Sequence, residues 1–142
     1  MRVAFGTDEV TPVTDGIVGH LRAAGHEVDV VAAGDPWPEV GRGVGEAVAS
    51  GAAERGIALC GSGIGIAIAV NRNPKVRCAQ VSEPLSAKLC RSHNDANAIA
   101  MGARLIGPEM ARACAKAFLE TEFEGGRHCG RVDKLSRTPQ DA

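Results

Sequence analysis

Short apolar runs alternate along this chain with stretches in which apolar residues recur every three or four positions. The runs at Arg2 to Gly6, Glu27 to Ala32, Ile57 to Leu59, Val76 to Val81 and Ala98 to Met101 read as strands. Val13, Ile17 and Leu21 space a first helix that ends at Ala24, with Gly25 at its C′ position. Val40, Val44, Ala47 and Val48 space a second helix up to Ser50, and a third runs from Ile64 to Arg72 and stops before Pro74. Pro84 sits at the start of a fourth, with Leu85 and Leu89 pointing inward, and Met110, Cys114, Ala117 and Phe118 mark a last long helix. Gly34 to Pro38 is a loop by composition, Glu124 to Arg137 is a polar, basic tail, and Thr138 to Ala142 are expected to be mobile. Strands alternating with helices predict an α/β fold, a single domain over residues 1–142 built on a doubly wound, Rossmann-like parallel sheet of five strands.

Composition narrows the function classes. A formal net charge of −1 argues against a general role on nucleic acid or on a membrane surface. No apolar run approaches the roughly 18 residues of a membrane span, and no basic and apolar leader opens the sequence, so the expected compartment is the cytoplasm. The five cysteines are an odd number without C-x-x-C spacing, which speaks against a disulfide framework or a zinc knuckle and makes most of them structural. With 18 glycines, 3% aromatics and no tyrosine, the core must be built from Ala, Val, Ile and Leu in closely packed elements.

Chemistry concentrates at Ile57 to Asn71, where a strand runs into Cys60 and then into Gly61, Gly63 and Gly65 before a helix. A strand, a glycine turn and a helix N-terminus direct several backbone N–H groups at one small volume, which suits an anion or an enolate-like oxygen. A thiol at its rim is a candidate base, because the positive end of a helix favours thiolate. The same residues read equally as a small buried cysteine beside a tight turn. Ile66 stands where the dinucleotide fingerprint has its third glycine, and no Lys-Ser or Lys-Thr follows as in a P-loop. Asp8 and Glu9 follow the first strand, at the strand ends where open α/β sheets bind ligands. With the polar turn Ser92 to Asn97 they imply one site.

Gly6-Thr-Asp8, Cys60-Gly-Ser-Gly-Ile-Gly65, Ser82-Glu-Pro84, Arg91-Ser-His-Asn-Asp95, Gly102-Ala-Arg104 and Glu124-Gly-Gly-Arg-His128 occur in this order through nearly the whole chain. Together they resemble the type B ribose-5-phosphate isomerases, a family that includes the galactose-6-phosphate isomerase subunits. The resemblance implies interconversion of aldose and ketose phosphates through a cis-enediolate, with no metal and no cofactor. It implies that Cys60 shuttles the proton while the turn amides of Gly61, Gly63, Ile64 and Gly65 hold the oxyanion. Ser62 then bonds the reacting oxygens, His93 opens the sugar ring, Asp8 lies near the sugar hydroxyls and Asn94 donates to the substrate. Some members carry a carboxylate base at the position of Ile66, which cannot take a proton here. Arg104, Arg127, His128 and Arg131 match phosphate-end residues, a role that suits the bidentate arginine fork. The resemblance also implies a homodimer, with pairing into a dimer of dimers open, in which the C-terminal tail or helix is exchanged and two chains build each pocket.

Two departures bear on the substrate. Family members usually carry His or Asn where this chain has Glu9, and the segment from there to Trp37 is shorter than in typical members. A carboxylate about 4 Å from a phosphate is repelled by about 4 kcal/mol at an effective dielectric near 20, so Glu9 must point away, pair with an arginine or face a different substrate. Trp37 and Val40 stand where tyrosines are common, which alters how sugar hydroxyls are read. Ribose 5-phosphate and ribulose 5-phosphate are the nearest family substrates, with four- and six-carbon sugars, phosphorylated or not, as alternatives. A non-catalytic sugar-phosphate sensor, or a subunit needing a paralogue, is a further reading. A thiol redox domain is weaker, because no resolving cysteine is near Cys60 in sequence.

Overall fold

Strands in the middle of a parallel sheet are covered on both faces, so the most continuous apolar runs belong there. In the computed structural model, which describes residues 1–137, β3 (Arg55–Cys60) and β5 (Ala98–Gly102) lie side by side, with β1 (Arg2–Thr7) on the far side of β3. The edges are β2 (Glu27–Ala33) and β4 (Cys78–Gln80), giving the order β2-β1-β3-β5-β4 with every pair parallel. Mobility of Thr138 to Ala142 concerns residues outside those described.

Side chains of a strand point alternately to the two faces, and the two layers arise from that. Ile57 and Leu59 join Phe5, Ile99 and Met101 in one core with Ile17 and Leu21 of α1 (Pro12–Ala23), Ala87 of α4 (Pro84–Ser92) and Phe118 of α5 (Pro108–Glu120). Ala58 and Cys60 face the other way, with Val40 and Val44 of α2 (Trp37–Ala49) and Ile66 and Val70 of α3 (Ile64–Val70). This second layer is thin. A Cβ on Gly41 would lie 2.5 Å from the Cβ of Ala69, so α2 and α3 touch backbone to backbone.

Several expectations need correction. Trp37 and Pro38 belong to the first turn of α2, where a proline costs no helical hydrogen bond. The fourth strand is only Cys78–Gln80, because an edge strand with one partner keeps just the residues that pair with β5. Leu85 and Leu89 point outward and are 62% and 38% exposed, while Ala87, Cys90 and Arg91 form the buried stripe of α4. The tail is structured: a 3-10 turn at Gly126–His128 leads into α6 (Cys129–Leu135). Ahead of it, Glu124 N–H donates to the Ser92 carbonyl at 3.0 Å, which ties the start of the tail to the end of α4.

Candidate active site

Cys60 is the last residue of β3 and is 5% exposed. Gly63, at φ 78°, turns its N–H back to donate to Cys60 Sγ at 3.2 Å. Ile64 N–H donates to Ser62 Oγ at 3.2 Å. Two of the amides expected to face an oxyanion are thus directed at the loop's own side chains. The first N–H groups of a helix have no intrahelical acceptor, which leaves those of Gly65 and Ile66 for a ligand. The loop is clamped onto the end of β5: a Cβ on Gly102 would sit 2.6 Å from the Ser62 carbonyl carbon, and one on Gly63 2.8 Å from that of Met101. The Trp37 indole lies against Gly65, 3.0 Å from where a Cβ would be.

The turn after β1 joins this group. Asp8 N–H donates to the Leu59 carbonyl at 3.2 Å, and Thr7 Oγ1–H donates to the Glu9 carbonyl at 2.6 Å. Partial burial, the largest influence, pushes the Asp8 carboxyl above its ordinary value, and the Glu9 charge adds to this. Arg104 N–H donates to the Gly61 carbonyl at 3.0 Å, and its Nη2 reaches Glu9 Oε1 at 3.1 Å. Of the three fates open to Glu9, pairing with an arginine is the one observed. Burial pushes the Cys90 and Cys114 thiols up to about 11, so these cysteines stay protonated in the core.

A second group forms around the end of α4. Arg91, 4% exposed in its side chain, donates to Asp95 Oδ1 and to the Ala96 carbonyl, both at 2.8 Å, and to the Thr121 carbonyl at 3.1 Å. Arg77 donates to the Asp95 carbonyl at 2.8 Å and lies 3.4 Å from its carboxylate, and Asp95 itself sits at φ 48°. These residues fix the turn that carries His93 and Asn94, and sequence reading did not single out Arg77, Arg91 or Asp95 as positioning groups. The Arg91–Asp95 spacing of i, i+4 was the available signal. The His128 ring is buried against His93, with centroids 4.7 Å apart and planes at 16°. Asn94, Arg127 and Arg131 line the same open cleft of about 330 Å³.

The two groups lie at opposite ends of the strands of one chain's sheet. Asp8, Cys60 and Arg104 follow the C-terminal ends of β1, β3 and β5, whereas His93 and Asn94 precede β5. The five residues of β5 put about 16 Å between its two ends. The sequence clusters expected to imply one site therefore lie in two separate groups within one chain. Arg104 belongs to the Cys60 half, and Arg127, His128 and Arg131 belong to the His93 half.

Residues 3–135 match the model of the Ribose/Galactose Isomerase family. Ribose-5-phosphate isomerase B of Escherichia coli is 39% identical, over 98% of this chain and 97% of that one. D-erythrulose-4-phosphate isomerase of Pectobacterium atrosepticum is 35% identical, over 95% and 93%. The solved structure of ribose-5-phosphate isomerase B from Clostridium thermocellum superposes with a TM-score of 0.90 at 36% identity, covering 96% of this chain and 95% of that one. With the same five-stranded parallel sheet and a match that spans both half-sites, the chain belongs to the Ribose/Galactose Isomerase family of sugar-phosphate isomerases.

Proposed function

We propose that this chain interconverts a small aldose phosphate and its ketose, with ribose 5-phosphate and ribulose 5-phosphate as the nearest substrates, through a cis-enediolate. The observation that carries the reading is the contact of Gly63 N–H with Cys60 Sγ at the mouth of β3. That contact fixes the sulfur at the turn, and the amides of Gly65 and Ile66 stand within the same turn. In the proposed reaction the Cys60 thiolate takes the hydrogen on C2 of the open-chain aldose as a proton and returns it to C1. The charge that develops on the substrate oxygen meets the turn amides, and Ser62 helps carry the accompanying proton between O2 and O1. His93 opens the ring, Asp8 and Asn94 bind sugar hydroxyls, and Arg127, His128 and Arg131 take the phosphate.

The distance between the half-sites supports a homodimer in which Cys60 of one protomer meets His93 of its partner. A four-carbon substrate is the second reading. Glu9 already neutralises Arg104, which weakens one phosphate contact, and one relative is a D-erythrulose-4-phosphate isomerase. The test is Cys60→Ser. It should slow isomerisation and exchange of the C1 or C2 hydrogen with deuterated solvent by at least about 10²-fold, the range for a lost acid/base group, while sugar-phosphate binding persists. Unchanged turnover removes Cys60 from the mechanism. A panel of four- to six-carbon sugars, each with and without phosphate, ranks the substrates.

A further inference from the structure

In the turn after β3, the carbonyls of Cys60, Gly61 and Gly63 accept main-chain N–H groups from Ala103, Arg104 and Ala67, at 2.9, 3.0 and 3.3 Å. Among the described residues, no main-chain N–H donates to the carbonyl of Ser62. Its donor is a side chain: Gln80 Nε2 lies 3.0 Å away. The N–H of that same peptide group, carried by Gly63, is the one that donates to Cys60 Sγ at 3.2 Å. We infer that Gln80, the last residue of β4, is a positioning residue that aims the Gly63 N–H at the sulfur, and that isomerisation slows when its donor is removed. The second half rests on the reading of Cys60 as the proton-transferring group.

A trans peptide is planar and sends its oxygen and its hydrogen in opposite directions, so a bond that fixes one fixes the other. Gly63 sits at φ 78°, and glycine passes between positive and negative φ at little cost. The Ser62–Gly63 peptide is therefore free to rotate unless something outside the turn holds it. Rotated by half a turn, it would present carbonyl lone pairs to Cys60 Sγ in place of the N–H. A donor on the oxygen also polarises the N–H of the same peptide, which strengthens its bond to sulfur. A carbonyl oxygen only accepts, so the nitrogen of the Gln80 amide is the atom that faces it. Gln80 is itself held in register with the turn. Asn71, at the end of α3, pairs with Cys78 of β4 through both amide atoms, Nδ2 donating to the carbonyl at 2.9 Å and Oδ1 accepting from the N–H at 2.8 Å. Two side-chain amides thus tie β4 to the two ends of the segment that runs from the Cys60 turn through α3.

The experiment compares Gln80→Met, which keeps the length of the side chain without the donor, with Gln80→Glu, which sets a carboxylate oxygen against the carbonyl. Steady-state kinetics on the best substrate of the sugar panel are measured beside amide hydrogen exchange of Gly63 and Ala67, read by NMR on the isotope-labelled chain. In Gln80→Met, kcat should fall about three- to tenfold with KM unchanged, the range for one neutral hydrogen bond, and Gly63 exchange should speed up by a similar factor while that of Ala67 stays as it was. Gln80→Glu should show the larger change in both. Gln80 is exposed, so both variants should melt within about 3 °C of the wild type. Wild-type kcat in Gln80→Glu overturns the need for a donor. A fall in kcat with Gly63 exchange unchanged overturns the route through this peptide, and faster exchange with kcat unchanged overturns its part in turnover. Faster exchange at Ala67 as well, with a lower Tm, makes Gln80 a structural brace and overturns the aiming role. Gly63 exchange that depends on Gln80 in a chain that isomerises no sugar upholds the aiming and refutes the functional reading instead.

Discussion

Mixing two inactive variants tests the split site directly. Cys60→Ser removes the proposed base from one half and His93→Ala removes the proposed ring-opening group from the other. About 16 Å of β5 separates the two strand ends at which these residues sit, beyond the reach of any single small sugar. In a two-fold dimer each site would take Cys60 from one protomer and His93 from the other. A mixed dimer then holds one site with both lesions and one with neither. Equal mixing and random exchange make half of the dimers mixed, so activity should return to about a quarter of the wild-type level. The assay unfolds and refolds the two variants separately and together, and tracks aldose-to-ketose conversion at fixed total protein. If the mixture stays as inactive as its components while mass analysis shows mixed dimers, both residues serve a site within one chain, and the reasoning from strand ends fails.

The contacts set three further outcomes. Glu9→Gln releases Arg104 from an exposed pair of the kind worth up to about 1 kcal/mol, so KM for a phosphorylated substrate should fall by up to about fivefold with kcat unchanged. A rise in KM would make Glu9 itself a substrate ligand. Asp95→Ala leaves the buried Arg91 guanidinium with carbonyl acceptors but no counter-charge, and a loss of about 3 kcal/mol should lower Tm by about 9 °C in a thermal melt; a shift below about 2 °C would refute the pairing argument. The raised Asp8 carboxyl means that the native state holds this proton more tightly than the unfolded chain. Its contribution to stability is complete below the ordinary aspartate value of 3.8 and is lost as pH rises through the folded value. Asp8→Asn should therefore melt higher than the wild type at neutral pH, with the gap closing under acid, and a gap that persists at low pH would contradict the sign.

The alternation of strands and helices was legible because a parallel sheet covered on both faces needs continuous apolar runs, and Ile57 to Leu59 and Ala98 to Met101 are such runs. Where patterning misled, packing by small residues was the cause. Leu85 and Leu89 have helical spacing, but α4 lies against the core through Ala87 and Cys90 and buries Arg91 through its hydrogen bonds. The helix Cys129–Leu135 left no periodic trace because it buries none of its residues. Pairing of Glu9 with Arg104 spans 95 positions, so local patterning leaves it invisible. The separation of the two groups was within reach of sequence reading: in a sheet of parallel strands, a loop that leaves a strand and a loop that enters one lie at opposite ends of the strands.

That division also bears on how the proposed chemistry would be kept dry. Proton transfer to and from carbon gains from fixed dipoles only where bulk water is excluded. Cys60 meets this condition from beneath, since Ile66 and Val70 bury it. From above it does not, because Trp37 and Ile64, which flank the Cys60 loop, are 42% and 53% exposed in the single chain. Ile68, one turn along α3 from Ile64, is 54% exposed, so the same helix face carries two uncovered isoleucines. A partner that brings His93 over Cys60 would approach from this open side. Covering the exposed half of each isoleucine is worth about 0.8–1.5 kcal/mol. On this argument the second protomer supplies the ring-opening group and the dry wall together, and an Ile64→Lys, Ile68→Lys chain that stays monomeric should lose turnover even with every proposed catalytic side chain present.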